Sequence, residues 1–507
     1  MSKTVHKIVK GAGIIFIGSA ISIVLRILSK AIIARSVTVS DFGIYSLASV
    51  VFSIVFVFSL LGLEEGIPRQ VAYFRGTSRV YEIISSSIVI STVSGITFSI
   101  LLFFLSEELA TFFNDKNLTI AIKLFSLALP FSVLASTILA IFRGFEMPEI
   151  RVYINDLFRN LIFIVLLFTV FIFRLSLIGV LISYVISAIL AFICLVVILF
   201  KKIKFEFIVD KYLTFNLLKF SVPLLIAIIL GMLMAWTDIL MLGYFRESWE
   251  VGLYSASHSL AGLIPIFLSS AAYMYIPVAS KIYSEGLMEE LRRTYQIITK
   301  WVFSITIPFF VILILCPEFV LSLFFGSSYI AASDALRILA LGFMFHVTLG
   351  LNGASLIVLG GGKLLMYMTT IGAISNIILN AMLIPKFGIV GASIATAISY
   401  ILANTMASIK LFQISGIQPF TKNYIKILAI STVTLLIFMF CLLNVKIHTL
   451  STVFAILMCT IYILAFLILT ILLKCIDEED IKLIAAIEKR LGISFKFIKS
   501  IIYRLYR

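Results

Sequence analysis

Apolar runs long enough to cross a membrane recur along the whole 507-residue chain and constrain its fold more than any other feature. A helix needs about 20 predominantly apolar residues to span the hydrocarbon core, because each residue rises about 1.5 Å. About fourteen such runs lie near residues 11–34, 42–63, 83–105, 118–142, 152–173, 177–200, 215–242, 251–278, 295–315, 330–359, 365–384, 388–412, 424–443 and 449–473. The mean hydropathy of +1.17 agrees with this interpretation. The sequence therefore predicts an all-α, polytopic membrane protein.

Basic residues exceed acidic residues by 40 to 25, which gives the chain a net charge of +15. Most of the lysines and arginines lie in alternate short segments between the apolar runs, as the positive-inside rule requires of cytoplasmic loops. That rule accounts for the charge, so we expect no nucleic-acid partner. It also predicts a multi-pass protein of the cell membrane whose N- and C-termini both lie in the cytoplasm. The five cysteines include no CxxC pair and indicate neither a disulfide framework nor a zinc site.

The two halves of the chain repeat each other. The sequence DFGIYS at residues 41–46 returns as EVGLYS at residues 250–255, and LIGVLISYVISAIL at 177–190 returns as IVGASIATAISYIL at 389–402. Both pairs are offset by about 210 residues and occur in the same order. Because each half holds six helices, an even number, the sequence predicts two parallel repeats. One half then rocks against the other to give alternating access.

These patterns predict five regions. An N-terminal lobe at residues 1–200 carries helices 1–6, a basic cytoplasmic linker follows at residues 201–214, and a C-terminal lobe at residues 215–413 carries helices 7–12. Helices 13 and 14 lie at residues 414–475, outside the repeat. In the tail, residues 476–507, apolar side chains recur near helical spacing with lysines and arginines between them. The tail is therefore predicted to be an amphipathic helix on anionic membrane lipids, with a solvated helix as the alternative.

Two cations interrupt the first apolar run. Arg26 and Lys30 recur at helical spacing with Ser22 and Ser29, so the polar groups share one face of the helix. A charge at mid-membrane costs roughly 2.5–3.5 kcal/mol on insertion scales and usually faces a bundle interior or a watery cavity. The two cations then predict a site for an anion, whereas snorkelling to the interface is the alternative. His258 in helix 8 is a candidate to face the same cavity from the second half, or to pack there through hydrogen bonds.

A second polar group lies in the second half. Asp238 in helix 7 is a membrane carboxylate, and Asn376 and Asn380 lie four residues apart, on one face of helix 11. Thr396 in helix 12 adds a hydroxyl. Carboxylate, amide and hydroxyl oxygens are hard ligands that suit a small cation such as Na⁺. The alternative is that the asparagines only bond neighbouring helices.

The sequence indicates no enzyme. No ATPase motif or catalytic constellation occurs in it, and the four histidines have no metal-ligand spacing, so we expect no cofactor beyond a coupling Na⁺. Two acidic sites at helix ends, Glu64–Glu65 and Asp156 with Arg159, are interpreted as interfacial charge pairs or gate elements. The i, i+3 spacing of Asp156 and Arg159 predicts that these two pair with each other.

Three stretches resemble a known family. GLEEGIPRQVAYFRG at 62–76, TDILMLGYF at 237–245 and SNIILNAMLIPKFGIVGASIAT at 375–396 are similar to the polysaccharide-flippase branch of the MOP exporter superfamily. That branch includes O-antigen-type and lipid II flippases, and multidrug MATE transporters are distant relatives. The resemblance implies a V-shaped pair of six-helix lobes around a cationic cavity. It implies movement of a polyprenyl-(pyro)phosphate-linked oligosaccharide from the cytoplasmic to the outer leaflet.

The resemblance also implies roles for particular residues. Arg26 falls where lipid II flippases are similarly basic, and His258 stands where they carry an arginine. Asp238, Asn376, Asn380 and Thr396 look similar to the family's Na⁺ site, with Asn380 in place of a carboxylate.

Other functions and partners follow less directly from the sequence. A MATE-type, cation-coupled multidrug exporter shares the fold, and a non-transporting accessory or scaffold protein of glycan assembly is a second rival. A membrane glycosyltransferase or polymerase is a third. The expected partners are the lipid-linked oligosaccharide, membrane lipids and glycan-assembly proteins, and the expected oligomeric state is a monomer.

Overall fold

The computed structural model describes residues 3–203, 206–444 and 452–475, and Asp480. These residues form helices joined by short turns, and no strand occurs in the described ranges. The helices up to residue 202 are α1 (Lys3–Ser36), α2 (Val39–Leu60), α3 (Leu63–Phe74), α4 (Arg79–Phe104), α5 (Ser106–Phe112), α6 (Leu118–Gly144), α7 (Glu149–Arg151), α8 (Arg159–Ile172) and α9 (Leu177–Lys202). A π-helical segment, Val152–Phe158, joins α7 to α8. The all-α prediction is confirmed.

The helices that follow overlap the remaining predicted runs. They are α10 (Lys211–Phe245), α11 (Ser248–Ala261), α12 (Ile264–Ser284), α13 (Met288–Leu315), α14 (Pro317–Phe324), α15 (Ser333–Leu349), α16 (Asn352–Val358), α17 (Gly362–Ser415), α18 (Lys422–Asn444) and α19 (Thr452–Leu472). A 3-10 turn, Ser327–Ala332, precedes α15. Within the described residues nine helices are long and apolar enough to span a membrane, or ten if α11 and α12 form one broken span. The multi-pass prediction is therefore confirmed, and the count of fourteen is compatible with it.

Helix α17 is one of the nine and covers two predicted runs. Its 54 residues depart from helical geometry at Gly388, where φ is 54° and ψ is −129°. Such a conformation favours glycine because a Cβ is strained there. A Cβ at this residue would also lie 2.2 Å from Oε2 of Glu250. Helix α17 is thus two helices joined at a break, as the two runs 365–384 and 388–412 predict.

The chain forms two compact units. The first comprises Met1–Ser259, Leu321–Ala332 and Ala373–Ala395, and the second comprises Leu260–Val320, Ser333–Gly372 and Thr396–Arg507. The lobe boundaries that the repeat suggests stay a prediction.

In the first unit, α6 packs between α3, α4 and α9. Ile84 of α4, Phe142 of α6 and Leu195 of α9 are buried in one apolar cluster. The hydroxyls of Ser91 on α4 and Thr137 on α6 lie 2.6 Å apart within this packing. A hydroxyl buried among apolar helices needs such a partner, because neither lipid nor water is there to supply one.

The two copies of the repeated motif cross each other in the first unit. Gly43 lies in the first copy, on α2, and Gly252 holds the equivalent position in the second copy, on α11. A Cβ on Gly43 would lie 1.7 Å from the carbonyl oxygen of Ser248, and a Cβ on Gly252 would lie 2.2 Å from that of Val39. Glycine is required at both positions because the two backbones touch there.

In the second unit, buried tyrosines bond backbone carbonyls between helices. Tyr295 Oη on α13 donates to the carbonyl of Leu349 at 2.5 Å, and Tyr424 Oη on α18 donates to that of Thr348 at 2.7 Å. Lys300 Nζ lies 2.6 Å from Oδ2 of Asp480 and anchors that residue to α13. Apart from Asp480, the predicted amphipathic tail lies outside the described residues, as do two residues of the predicted linker, 204 and 205.

Candidate functional site

The polar face of α1 has a buried part and an accessible part. Ser22 and Ser29 are buried, whereas the Arg26 and Lys30 side chains are exposed. Lys30 Nζ donates to Ser259 Oγ on α11 at 2.9 Å. The lysine is therefore directed toward another helix of the protein rather than toward an interface. The structure places both predicted cations on accessible surface, one helical turn apart.

A carboxylate lies within electrostatic range of Arg26. Asp156 is half-buried in the π-helical segment and interacts electrostatically with Arg26 and with Arg151. Its predicted pairing with Arg159 is wrong, since the described ion pairs do not include it and the Arg159 guanidinium lies 5.1 Å from the centre of the Tyr184 ring. A π-helix closes its bonds at i→i+5, so side chains three residues apart no longer align as they do on an α-helix.

His258 lies between the two predicted sites. It is half-buried on α11, and its ring centre is 5.8 Å from that of Tyr254. It lies within electrostatic range of Lys30 and of Asp238. The structure thus brings His258 near Lys30 and Asp238. Its place in a substrate site stays a prediction.

Three of the four predicted ion ligands converge in the first unit. Asp238 on α10 is 1% exposed, and Asn376 and Asn380 on α17 are fully buried. The Nδ2 atoms of Asn376 and Asn380 donate to Oδ1 of Asp238 at 2.9 and 2.7 Å. Asn380 Nδ2 also lies 3.1 Å from Oδ1 of Asn376. These two donors pair one oxygen of a carboxylate that the helices bury, where an unpaired oxygen would be costly.

Tyr254 completes this cluster and was missed by the sequence analysis. Its hydroxyl donates to Oδ2 of Asp238 at 2.5 Å, and the side chain is fully buried. A signal was present, because Tyr254 belongs to the repeated motif at 250–255 and lies four residues before His258. That spacing places the two side chains on one face of α11.

Thr396 is buried at 2% exposure and belongs to the second unit. Its place in an ion site stays a prediction. The residues of the first unit do fit a small hard cation, because they combine one carboxylate with amide and phenol oxygens. Asn380 Oδ1 is buried and has no hydrogen-bond partner. A buried carbonyl without a partner costs free energy that a cation would recover.

The acidic pair at the start of α3 is held by α6. Arg143 donates to both carboxylate oxygens of Glu65 at 3.0 Å, and Ser136 Oγ donates to Oε1 of Glu64 at 3.2 Å. The first contact is a charge pair of the kind predicted for this site. A two-bonded guanidinium–carboxylate contact fixes orientation as well as charge.

Family models match most of the chain. The model described as "Polysaccharide biosynthesis protein" matches residues 8–283, and the model described as "MatE" matches residues 223–382. The "Putative O-antigen transporter" of Shigella flexneri is 23% identical over 402 residues, which cover 76% of this chain and 93% of that protein. The "Probable low-salt glycan biosynthesis flippase Agl15" of Haloferax volcanii is 31% identical over 187 residues, 37% of this chain and 39% of that protein.

Among solved structures, the lipid II flippase MurJ in an inward closed conformation matches with a TM-score of 0.72 at 18% sequence identity. The match covers 90% of this chain and 98% of that one. At this identity the likeness establishes the fold, and the chemistry must be argued from the residues of this chain.

Proposed function

Because this chain belongs to the polysaccharide biosynthesis protein family, within the MOP superfamily, we propose that it is a flippase for a lipid-linked oligosaccharide. It is a transporter and not an enzyme. The observation that carries the substrate class is the pair Arg26 and Lys30, which are exposed within the first apolar run, with Lys30 bonded to Ser259 of α11. Two cations at this depth need an anion, and a polyprenyl-linked glycan carries its phosphates where its lipid joins its sugars.

The proposed binding mode divides the substrate by polarity. Arg26 contacts the phosphate oxygens, since a planar guanidinium donates two parallel hydrogen bonds to such a group. Lys30, one helical turn from Arg26, and His258, on α11, add further contacts to the same phosphate group. The polyprenyl chain stays among the lipids because moving it into a polar cavity would expose apolar surface. Only the phosphate and sugar headgroup then crosses, from the cytoplasmic to the outer leaflet.

We further propose that Na⁺ drives the cycle through Asp238. The ligands would be the Asp238 carboxylate and the side-chain oxygens of Asn376 and Asn380. When bound, Na⁺ would supply the free energy of its gradient. The two amides donate to Asp238 in the structure, so each must turn its oxygen inward to act as a ligand. Those turns would remove two donors from Asp238, the residue that Tyr254 of α11 also bonds.

Helix α11 is the physical link between the two sites. Tyr254 bonds Asp238, and Ser259, five residues later, bonds Lys30. A shift of α11 that follows ion binding therefore moves a partner of the substrate cations. The position of α11 thus depends on both sites, so this helix can couple ion binding to substrate binding.

Drug export of the MATE type is the second candidate, favoured by the "MatE" match at 223–382. An exporter of cationic drugs needs carboxylates on its binding surface. The accessible face of α1 presents Arg26 and Lys30 instead, which repel such drugs. A scaffold role in glycan assembly predicts instead that these cations can be neutralised without loss of function.

We also propose three finer features. The distribution of basic residues between the apolar runs supports cytoplasmic N- and C-termini. The protein is proposed to act as a monomer, with the proteins that assemble the glycan as its partners. Each of these is open to direct measurement by accessibility labelling or by mass in detergent.

Reconstituted flipping tests the function. A labelled polyprenyl-pyrophosphate oligosaccharide is placed in proteoliposomes, and an impermeant probe reports its sidedness, with and without a Na⁺ gradient. Arg26→Ala should lower the flipping rate by about 10- to 100-fold, the value of a charge-assisted contact to phosphate. Arg26→Lys is the matched control, since it keeps the charge and loses only the two-pronged geometry.

The outcomes separate the candidates. Flipping by well-folded Arg26→Ala at the wild-type rate would remove Arg26 from the mechanism and leave the flippase function in place. Wild-type protein that neither flips any headgroup nor exports cationic dyes would support the scaffold. No flipping of any headgroup by wild type, together with efflux of cationic dyes, would establish drug export. Asp238→Asn should abolish the response to Na⁺, and an unchanged response would place the coupling ion elsewhere.

A further inference from the structure

A polar cavity that neither Arg26 nor Lys30 lines lies where α5 and α10 end and α11 begins. It has a volume of about 540 Å³, and its lining comes from Ser40, residues 113–115 and residues 244–250. Small-molecule sites usually measure ~300–1,000 Å³, so the cavity is large enough to hold more than a few waters. The charge pattern of the loops predicts that all three segments lie on the outer face of the membrane.

Aromatic rings form one part of the lining. Tyr244, Phe245 and Trp249 are 46%, 39% and 44% exposed, and Phe113 lies behind them, 7% exposed. The C–H faces of a sugar ring are apolar and weakly positive, so they stack on the electron-rich face of an aromatic ring. Exposed rings that converge on one cavity therefore suit a carbohydrate better than they suit a compact anion.

Polar side chains form the other part and are already held in place. Ser248 Oγ donates to Oδ2 of Asp115 at 2.5 Å, and Trp249 Nε1 donates to Oε2 of Glu247 at 3.1 Å. Arg246 donates to the carbonyls of Ile384 and Pro385 beside the break in α17. Carboxylates fixed in this way keep lone pairs for the hydroxyls of a ligand, and they need little reordering when it binds.

The charge of the lining is opposite to that of α1. Three carboxylates, those of Asp115, Glu247 and Glu250, face the cavity with one guanidinium, that of Arg246. A negative excess repels phosphate and also repels acidic sugars such as uronates. It accepts neutral sugars and favours those that carry an amino group.

We infer that this outer cavity binds the neutral or amino-sugar units of the transported headgroup. The inference rests on the proposed flippase function and deepens it. The two ends of the substrate then meet surfaces of opposite charge, with phosphate held at Arg26 and Lys30 and sugars received at the outer cavity. A lipid-interface aromatic belt is the competing explanation of the exposed rings, and it predicts no sugar binding.

The test measures binding of soluble trisaccharides, which have no lipid and are not flipped. Full-length protein in nanodiscs is titrated with maltotriose, N-acetylchitotriose and trigalacturonate, and saturation-transfer NMR reports each affinity. Trp249→Ala should weaken binding of the neutral trisaccharides by roughly tenfold, because it removes the stacking surface. Trp249→Phe keeps an aromatic ring and should retain most of the affinity. Phe104→Ala is the matched control, since Phe104 is 75% exposed at the end of α4 and does not line the cavity.

Each outcome decides the inference. Saturable binding of a neutral trisaccharide that Trp249→Ala weakens and Phe104→Ala leaves unchanged supports it. Trigalacturonate should bind at least fivefold more weakly, on the order of 1 kcal/mol for a repelled charge. Absence of binding by wild type, equal losses in both alanine variants, or equal affinity for trigalacturonate would overturn it. Since no transport is involved, sugar binding without flipping would count against the proposed function alone.

Discussion

The cations of α1 and the carboxylate of α10 are charged groups inside one membrane protein, and the fold treats them in opposite ways. Arg26 and Lys30 are left accessible, and the described contact of Lys30 is a single hydroxyl. Asp238 is 1% exposed and accepts bonds from three side chains. An accessible cation can bind a ligand and release it again. A buried carboxylate must have its partners built in, since isolated charge is costly there.

This contrast predicts that the two regions respond differently to substitution. Changes at the cations should affect transport and leave stability nearly unchanged, because surface substitutions usually stay within about 0.5 kcal/mol. Changes at the carboxylate should affect both.

Removing the carboxylate is expected to have the largest effect on stability. Asp238→Leu removes the carboxylate that accepts hydrogen bonds from the amides of Asn376 and Asn380 and from the hydroxyl of Tyr254. The loss should be about 3 kcal/mol in the free energy of unfolding, typical of breaking a buried charged network. Thermal unfolding in detergent measures it, with Arg26→Ala as the reference. If both variants unfold at the same temperature, the expected difference in stability between the two regions is wrong.

Moving α11 should have an intermediate effect and should disturb both regions together. Gly252→Ala places a Cβ 2.2 Å from the carbonyl oxygen of Val39, so α2 and α11 must separate. Such overpacking typically costs about 1–3 kcal/mol. Flipping and its response to Na⁺ should fall together, because α11 carries both Tyr254 and Ser259. The matched control is Gly286→Ala, whose Cβ would meet open space; Gly286 has a positive φ of 76°, so a modest cost of its own is expected.

Removing one hydroxyl should have the smallest effect. Tyr254→Phe keeps the ring that packs by His258 and deletes the donor to Asp238. We expect a loss of about 1 kcal/mol in stability, the net value of one hydrogen bond. A weaker response to Na⁺ should accompany it while binding of the phosphate headgroup is unchanged. Equal losses of Na⁺ response and headgroup binding would show that the two regions act as one site.

The sequence predicted the sites where spacing along one helix was enough. Arg26 and Lys30 share a face of α1, and Asn376 and Asn380 share a face of α17, because α-helical periodicity is regular. The same rule failed at Asp156 and Arg159, where a π-helical segment changes the periodicity. The local sequence does not predict this change of periodicity, because π-helical turns depend on the packing of the segment as well as on its composition.

The sequence by itself determined the all-α membrane class, the repeated halves and the charged residues that the membrane makes costly. Hydrophobic length and helical period are local properties, so they can be read along one chain. The tertiary structure decided which charges meet. It placed Tyr254 on Asp238, tied Lys30 to Ser259, and gathered residues 113–115 and 244–250 around one cavity. These contacts join residues of different helices, and their geometry depends on how helices cross, as at Gly43 and Gly252, where two backbones touch.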